Sequence, residues 1–160
     1  MTVERAKTGY VMNLPVRLSN RVAGPKEMAT ALGVEPMEVW ENKFNYMAVL
    51  RDENEVRRLA PDLVEIARMD RPGVVVTGRG AGEFDFVSRY FAPAKGIAED
   101  PVTGAAHCML APYWAKQLGK TTLRAYQASA RGGEVLCKLV GDRVELEGSC
   151  AFYLEGEAEI

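Results

Sequence analysis

The sequence is poor in the residues that build metal sites and disulfide frameworks. It has one histidine and three cysteines in 160 residues, and Cys108, Cys137 and Cys150 do not have the spacing of metal ligands. We therefore expect no metal site. An odd number of cysteines without a paired pattern is typical of a reducing environment, so we expect a cytoplasmic location.

The sequence also lacks an excess of either charge and any long apolar run. Lys and Arg number 20 against 22 Asp and Glu, which leaves a net charge of −2, so no basic face for nucleic acid is indicated. No apolar stretch approaches the roughly 20 residues of a membrane span, and residues 1–7 are too polar for a secretory signal. We expect neither nucleic acid nor a membrane as a partner, and a 48% hydrophobic content suffices for one core.

Glycine and proline are frequent enough to divide the chain into elements. The pattern predicts helices at 25–33, 53–59 and 62–69, and strands at 9–15, 37–41, 46–51, 74–77 and 84–91. Residues 78–82 are predicted to form a turn between two strands. Four strands are predicted between 121 and 157, and Gly141-Asp142 is a two-residue hairpin signal among them.

The segment from about 103 to 118 has apolar side chains in nearly every direction around a helical axis. In a protein without a membrane span, such a helix is buried on all sides. Because strands precede and follow it, we predict an α+β domain in which a strongly curved mixed or antiparallel sheet wraps around this one central helix. Pro112 should kink the helix or mark a local defect.

Chemistry is expected where this helix begins. Free backbone N–H groups and the positive end of the helix dipole bind anions such as carboxylates, and Thr103 and Gly104 present little bulk to a ligand. Asp100 adds a carboxylate that could give or take a proton at the edge of an apolar cavity. A second interpretation is that Asp100 and Pro101 only begin the helix, as N-cap and first helical residue.

Four segments together resemble the phenazine-biosynthesis-like (PhzF) family. They are FVSRYFAP (86–93), GIAEDPVTGAAH (96–107), LAPYW (110–114) and RGG (131–133), and weaker similarity extends back to Thr2. The resemblance implies a diaminopimelate-epimerase-like fold, in which two similar lobes enclose an active site in the cleft between them. Since the chain resembles only the second lobe, we expect residues 1–160 to form a single C-terminal lobe without the N-terminal one.

By the same resemblance, the activity is a proton transfer that uses no cofactor. The best-studied member isomerises trans-2,3-dihydro-3-hydroxyanthranilate, so the chain is expected to contribute half of an isomerisation or epimerisation site for a small carboxylate-bearing metabolite. Asp100 matches the acidic residue that the second lobe contributes to the cleft. Thr103, Gly104 and Ala105 match the segment whose backbone holds the substrate carboxylate.

Two departures from the family pattern leave the enzymatic role open. Ala105 stands where many members have serine, and the main catalytic glutamate and a partner histidine belong to the first lobe. An active enzyme would therefore need a partner, either a second copy in a homodimer or a separate first-lobe chain. The alternative is a non-catalytic module that binds small anions or self-associates.

Several other residues are candidates for support around this site. Arg89 could brace the loop at Glu99, with an ordinary surface arginine as the competing interpretation, and Ser88 precedes it on a strand that leads toward the site. His107 could shuttle protons, although a structural hydrogen bond is favoured because it lies one turn into a buried helix.

The segment from Arg131 to Gly133 is first of all a hairpin turn. In this fold Arg131 and Gly132 could also lie near the cleft and contact the ligand. Cys108 is interpreted as a small core residue rather than as a thiol of the kind used for racemisation in the wider epimerase superfamily.

Overall fold

The computed structural model describes residues 1–6, 9–151 and 156. They form ten strands, four α-helices and a short 3-10 helix, Pro93–Lys95. The strands are β1 Thr2–Arg5, β2 Tyr10–Pro15, β3 Asn20–Val22, β4 Glu38–Glu41, β5 Asn45–Val49, β6 Gly73–Arg79, β7 Phe86–Phe91, β8 Thr122–Gln127, β9 Gly133–Val140 and β10 Arg143–Gly148. The helices are α1 Met28–Leu32, α2 Glu53–Arg58, α3 Leu63–Ala67 and α4 Gly104–Leu118.

All ten strands belong to one mixed sheet. Its order is β1-β2-β10-β9-β8-β7-β6-β5-β4-β3, with β5–β6 and β7–β8 parallel and the other pairs antiparallel. This confirms the predicted α+β class and mixed sheet. The hairpins predicted at 78–82 and at Gly141-Asp142 join antiparallel neighbours, whereas the fourth strand predicted after β10 lies outside the described residues.

The two faces of the sheet bury two separate clusters. On β6, Val75 packs into a cluster built around α4, while Val74 and Val76 pack into one beneath α1, α2 and α3. Because successive side chains of a strand point to opposite faces, a strand covered on both sides is apolar throughout. This explains the unbroken valine run of β6. In β8, buried and more exposed residues alternate, and the buried residues Leu123 and Ala125 pack on the α4 side.

The short helices α2 and α3 begin where their capping residues allow. Asp52 accepts hydrogen bonds from the N–H groups of Asn54 and Glu55, and Asp62 does the same for Val64 and Glu65. These bonds satisfy N–H groups that the first turn of a helix leaves free. The predicted helices at 53–59 and 62–69 are confirmed with slightly shorter bounds.

Strong curvature of the sheet was predicted wrongly, since the sheet is not strongly curled. Helix α4 is nevertheless buried, with His107, Leu110 and Ala111 fully enclosed. Burial does not require a curled sheet because other segments complete it: Val16, in the connection after β2, packs against the α4 cluster, and the ring of Trp40 meets that of Tyr113 edge-on.

Pro112 leaves α4 continuous but creates a gap in its hydrogen bonds. Proline has no N–H, so the carbonyl of Cys108, four residues earlier, has no partner within the helix. The backbone N–H of Arg17 donates to that carbonyl at 2.9 Å. The predicted local defect is therefore a point at which the connection after β2 attaches to the helix.

Candidate active site

The loop that leads into α4 is held at its first residue by a half-buried ion pair. Arg89 on β7 donates from Nε and Nη2 to the two carboxylate oxygens of Glu99 at 2.7 and 3.0 Å. Its Nη1 also donates to the carbonyl of Leu59 at 2.6 Å, and the Asp100 N–H donates to the carbonyl of Tyr90 at 3.0 Å. The side chains of Arg89 and Glu99 are only 13% and 22% exposed. Because Leu59 follows directly after α2, Arg89 connects the loop to the α2 side of the sheet.

Asp100 follows directly and keeps one carboxylate oxygen free. The hydroxyl of Thr103 donates to Asp100 Oδ2 at 2.5 Å. In the part of the chain that the structure describes, Oδ1 has no hydrogen-bond partner, and the residue is half-buried. The carboxylate is thus oriented by one contact and leaves its second oxygen available to a ligand.

The interpretation of Asp100 as the N-cap is wrong. Helix α4 begins at Gly104, and Thr103 is its N-cap, with φ −113° and ψ 94° and no side-chain capping bond. Asp100 lies three residues before this N-cap, too early to cap the helix. Its carboxylate accepts a hydrogen bond from the hydroxyl of Thr103 rather than from a helix N–H.

Gln127, the last residue of β8, joins both ends of this loop. Its Oε1 accepts from the Thr103 N–H at 2.8 Å. Its Nε2 donates to the carbonyl of Asp100 at 2.7 Å and to Thr103 Oγ1 at 3.1 Å. The sequence analysis missed this residue, although a glutamine at an inward position of an alternating strand is a signal that could have found it.

Two backbone donors are left over at the start of α4. The Thr103 N–H is bonded to Gln127, and the Ala106 N–H donates to the carbonyl of Thr103 at 3.1 Å. Within residues 1–6, 9–151 and 156, no atom accepts a hydrogen bond from the N–H of Gly104 or Ala105. These two groups lie at the positive end of a 15-residue helix, where a small anion is stabilised.

The turn between β8 and β9 packs against the same loop. Ser129 Oγ donates to the carbonyl of Pro101 at 2.8 Å and accepts from the Gly132 N–H at 3.0 Å. A Cβ on Gly133 would lie 2.4 Å from a methyl of Val102, so glycine permits this close approach. Gly132 thus lies beside the loop, while the exposed Arg131 forms no ion pair with any described residue. Contact of either residue with a ligand stays a prediction.

His107 lies beneath the site and is fully buried. Its Nδ1 lies 2.8 Å from the carbonyl of Thr103, so Nδ1 carries the proton, and Nε2 has no partner among the described residues. Burial lowers the pKa of His107, and the hydrogen bond to Thr103 opposes this only in part. A neutral, enclosed imidazole supports the structural role. The buried hydroxyl of Ser88 likewise has no hydrogen-bond partner among the described residues.

The cysteines of the core are not activated thiols. Burial raises the pKa of Cys108 and of Cys137, and the side chain of Cys108 is oriented toward the carbonyl of Gly104 at 3.6 Å.

Among the described residues no group of three His, Cys, Asp or Glu side chains could hold a metal ion. None of the described helices is long and apolar enough to cross a membrane.

Comparison with known proteins places this loop and helix in a family. Residues 22–158 match the PhzC-PhzF family, described as phenazine biosynthesis-like protein. An uncharacterized isomerase of Pseudomonas aeruginosa is 42% identical over 160 residues, which are all of this chain and 61% of that protein. The chain thus spans about three fifths of this relative's length.

Solved structures agree in fold along nearly the whole chain. A PhzF-family phenazine biosynthesis protein from Enterococcus faecalis superposes with a TM-score of 0.90 at 38% identity, over 99% of this chain and 60% of that one. A phenazine biosynthesis PhzC/PhzF protein described as putative, from Clostridium difficile, gives 0.87 at 32% identity over 99% and 61%. The chain therefore belongs to the PhzC-PhzF family of phenazine biosynthesis-like proteins.

Proposed function

We propose that this chain is the C-terminal lobe of a two-lobed isomerase of the PhzF type. In this proposal it supplies half of a cofactor-free proton-transfer site for a small carboxylate-bearing metabolite, in a cytoplasmic enzyme. Family membership supports the proposal, as do the name isomerase carried by its relatives and its coverage of about 60% of their length. The activity of the whole protein is inferred from these relatives.

The observation that carries the proposal is the pairing of two kinds of group at one place. The N–H groups of Gly104 and Ala105 are free to bind a substrate carboxylate. Asp100 lies four residues before Gly104, the first residue of α4, and keeps Oδ1 free. A carboxylate held at the helix would place its neighbouring carbon near Asp100, which then takes or gives the proton.

The remaining chemistry belongs to the partner. Proton transfer between two positions of a substrate needs a group that removes a proton and one that returns it, and Asp100 is one such group. The hydroxyl that many relatives place after Gly104 is absent because this chain has Ala105, so backbone donors alone must hold the carboxylate. A first lobe, or the lobe of a second copy in a homodimer, supplies the second proton-transfer group.

The test is proton exchange with the cleft completed. The chain is co-expressed with the part of the Pseudomonas aeruginosa relative that it does not match, and a panel of small carboxylic acids is incubated with the complex in heavy water. We expect deuterium in at least one acid, and loss of that exchange in Asp100→Asn. No exchange with any acid, or full exchange in Asp100→Asn, contradicts the proposal.

A non-catalytic anion-binding or self-associating module is the second candidate. It is favoured by one observation. The described residues supply N–H groups that can bind a carboxylate, at Gly104 and Ala105, but only one suitably placed proton-transfer group, Asp100. This candidate predicts carboxylate binding without exchange in any pairing, including a homodimer detected by light scattering. Exchange in the completed protein would exclude it.

A further inference from the structure

We propose that Gln127 is the positioning residue of this site. Its side-chain amide determines which oxygen of Asp100 and which backbone N–H groups face a ligand. The inference deepens the proposed function and rests on it for its consequences in binding, whereas its structural part can be tested without any ligand.

Gln127 is buried and its side chain is held by three hydrogen bonds, as positioning requires. Its side chain is 1% exposed, and it ends β8, whose parallel pairing sets it opposite Ser88 of β7. The next residue, Ala128, continues the connection by donating from its N–H to the carbonyl of Ser88 at 2.7 Å. The side-chain amide of Gln127 accepts one hydrogen bond through Oε1 and donates two through Nε2, all with residues of the loop.

The direction of these hydrogen bonds orders the proton of Thr103. Because Nε2 of Gln127 donates to Thr103 Oγ1, that oxygen acts as acceptor toward Gln127 and directs its own proton elsewhere. The hydroxyl therefore donates to Asp100 Oδ2. The resulting chain runs from Gln127 through Thr103 to Asp100, and it leaves Oδ1 as the oxygen that meets the substrate.

The same amide selects the backbone donors. Oε1 of Gln127 occupies the Thr103 N–H, so an anion at the helix start is restricted to the N–H groups of Gly104 and Ala105. Without Gln127, the Thr103 N–H would be a third donor and the hydroxyl of Thr103 would be free to turn. We expect an anion then to bind in more than one position, with lower affinity.

The chain offers a matched control, because its two glutamines are Gln127 and Gln117. Gln117 is exposed on α4, so Gln117→Leu repeats the chemical change away from the loop. The first measurement is amide hydrogen exchange without ligand. In Gln127→Leu we expect the Thr103 N–H to exchange at least about tenfold faster than in the unaltered chain, with the Leu123 N–H near the start of β8 unchanged.

A Gln127→Glu variant gives a pH profile that loss of packing alone would not produce. Burial raises the pKa of a glutamate above its ordinary value of about 4.3, so this carboxyl regains a proton, and with it a donor, at mildly acidic pH. Benzoate affinity is measured by amide shifts, and the affinity of each variant is divided by that of the unaltered chain at the same pH. For Gln127→Glu we expect this affinity ratio to be about one tenth at pH 8 and to rise toward one as the pH falls. For Gln127→Leu we expect the ratio to stay low at every pH.

The outcomes separate this inference from the proposed function. If Gln127→Leu leaves Thr103 exchange unchanged, or if the Gln127→Glu ratio does not depend on pH, Gln127 is not the positioning residue. If Thr103 exchange responds as expected but the unaltered chain binds no benzoate, the positioning of the loop is supported and the carboxylate site fails. Equal effects of Gln117→Leu and Gln127→Leu would also overturn the inference.

Discussion

Asp100 and Thr103 form the smallest unit of the site, and they show what sequence reasoning can reach. The short distance along the chain between a carboxylate and a helix start pointed to Asp100, and the structure brings the two together. The alternative interpretation of Asp100 as the N-cap was wrong because Thr103 is the N-cap and the helix begins at Gly104. Gln127 was missed because 24 residues separate it from Thr103, and only the parallel pairing of β7 and β8 brings them into contact.

Removing the charge of Asp100 should separate binding from proton transfer. In Asp100→Asn the repulsion between the two carboxylates disappears, so we expect benzoate to bind about threefold more tightly while proton exchange in the completed protein is lost. Amide-shift titration and deuterium incorporation measure the two effects. A weaker affinity in Asp100→Asn would show that the ligand does not approach Asp100.

The hydroxyl of Thr103 should matter more than its shape. Thr103→Val removes the bond to Asp100 and leaves the Gln127 amide with one donor unpaired, so we expect a loss of about 1–3 kcal/mol in the free energy of unfolding. Thr103→Ser keeps the hydroxyl and should lose less than half of that. Urea unfolding measures both variants, and equal losses would mean that the hydroxyl bonds contribute little.

His107 should make the stability of the chain depend on pH. Its pKa is lowered in the folded state by burial, so the unfolded chain binds the proton more readily. Its contribution is present above the ordinary pKa of about 6.5 and is lost as the pH falls below that value, at up to about 1.4 kcal/mol per pH unit. Urea unfolding between pH 7.5 and 5.5 measures the slope.

The single histidine of the sequence makes the assignment clear. A His107→Asn variant is the control and should show a flatter profile over the same range. An identical slope in both proteins would attribute the pH dependence to other groups.

Among the elements, α4 was the best predicted and also the one with an unforeseen attachment. Its apolar surface indicated burial on all sides, which the structure confirms for residues 106–111, while Lys116 and Gln117 in the last turn are exposed. The partner of the Cys108 carbonyl could not be predicted, since it is a backbone N–H from residue 17. Backbone groups are present at every residue, so sequence holds no signal for such a contact.

Arg17→Pro should therefore destabilise the fold through its backbone. It removes the N–H that satisfies the Cys108 carbonyl, and a buried carbonyl without a partner costs about 1–3 kcal/mol. Arg17→Ala keeps the N–H and loses the contact of the guanidinium with the Phe44 ring, for which we expect less than about 1 kcal/mol. The free energy of unfolding of the two variants is the measurement, and equal losses would contradict the role given to the N–H.

The turn between β8 and β9 offers a test with a matched glycine. Gly132 has φ +70°, and a Cβ there would lie 2.1 Å from the hydroxyl oxygen of Tyr126, while Gly141 has φ +59° and nothing within 4 Å. Both alanine variants incur the cost of a left-handed residue, about 1 kcal/mol. We expect Gly132→Ala to lose about 1–2 kcal/mol more in unfolding free energy than Gly141→Ala, and equal losses would mean that the turn shifts freely.

For the molecule as a whole, the class of fold followed from the order of its elements, but its shape did not. Strands on both sides of one apolar helix predicted an α+β domain, and the ten-stranded mixed sheet agrees. Strong curvature was inferred from the helix alone, which does not reveal that Val16 and Trp40 cover it. The apolar pattern of a helix predicts how much of its surface is buried. It does not predict which segments bury that surface, because tertiary contacts determine them.

The most direct test of the account is whether the start of α4 binds a carboxylate. A titration of the isotopically labelled chain with benzoate, followed by backbone amide shifts and compared with uncharged benzamide, measures this. We predict saturable shifts at the N–H groups of Gly104 and Ala105 with benzoate and none with benzamide. Shifts confined to other residues, or equal shifts with both compounds, would contradict the account.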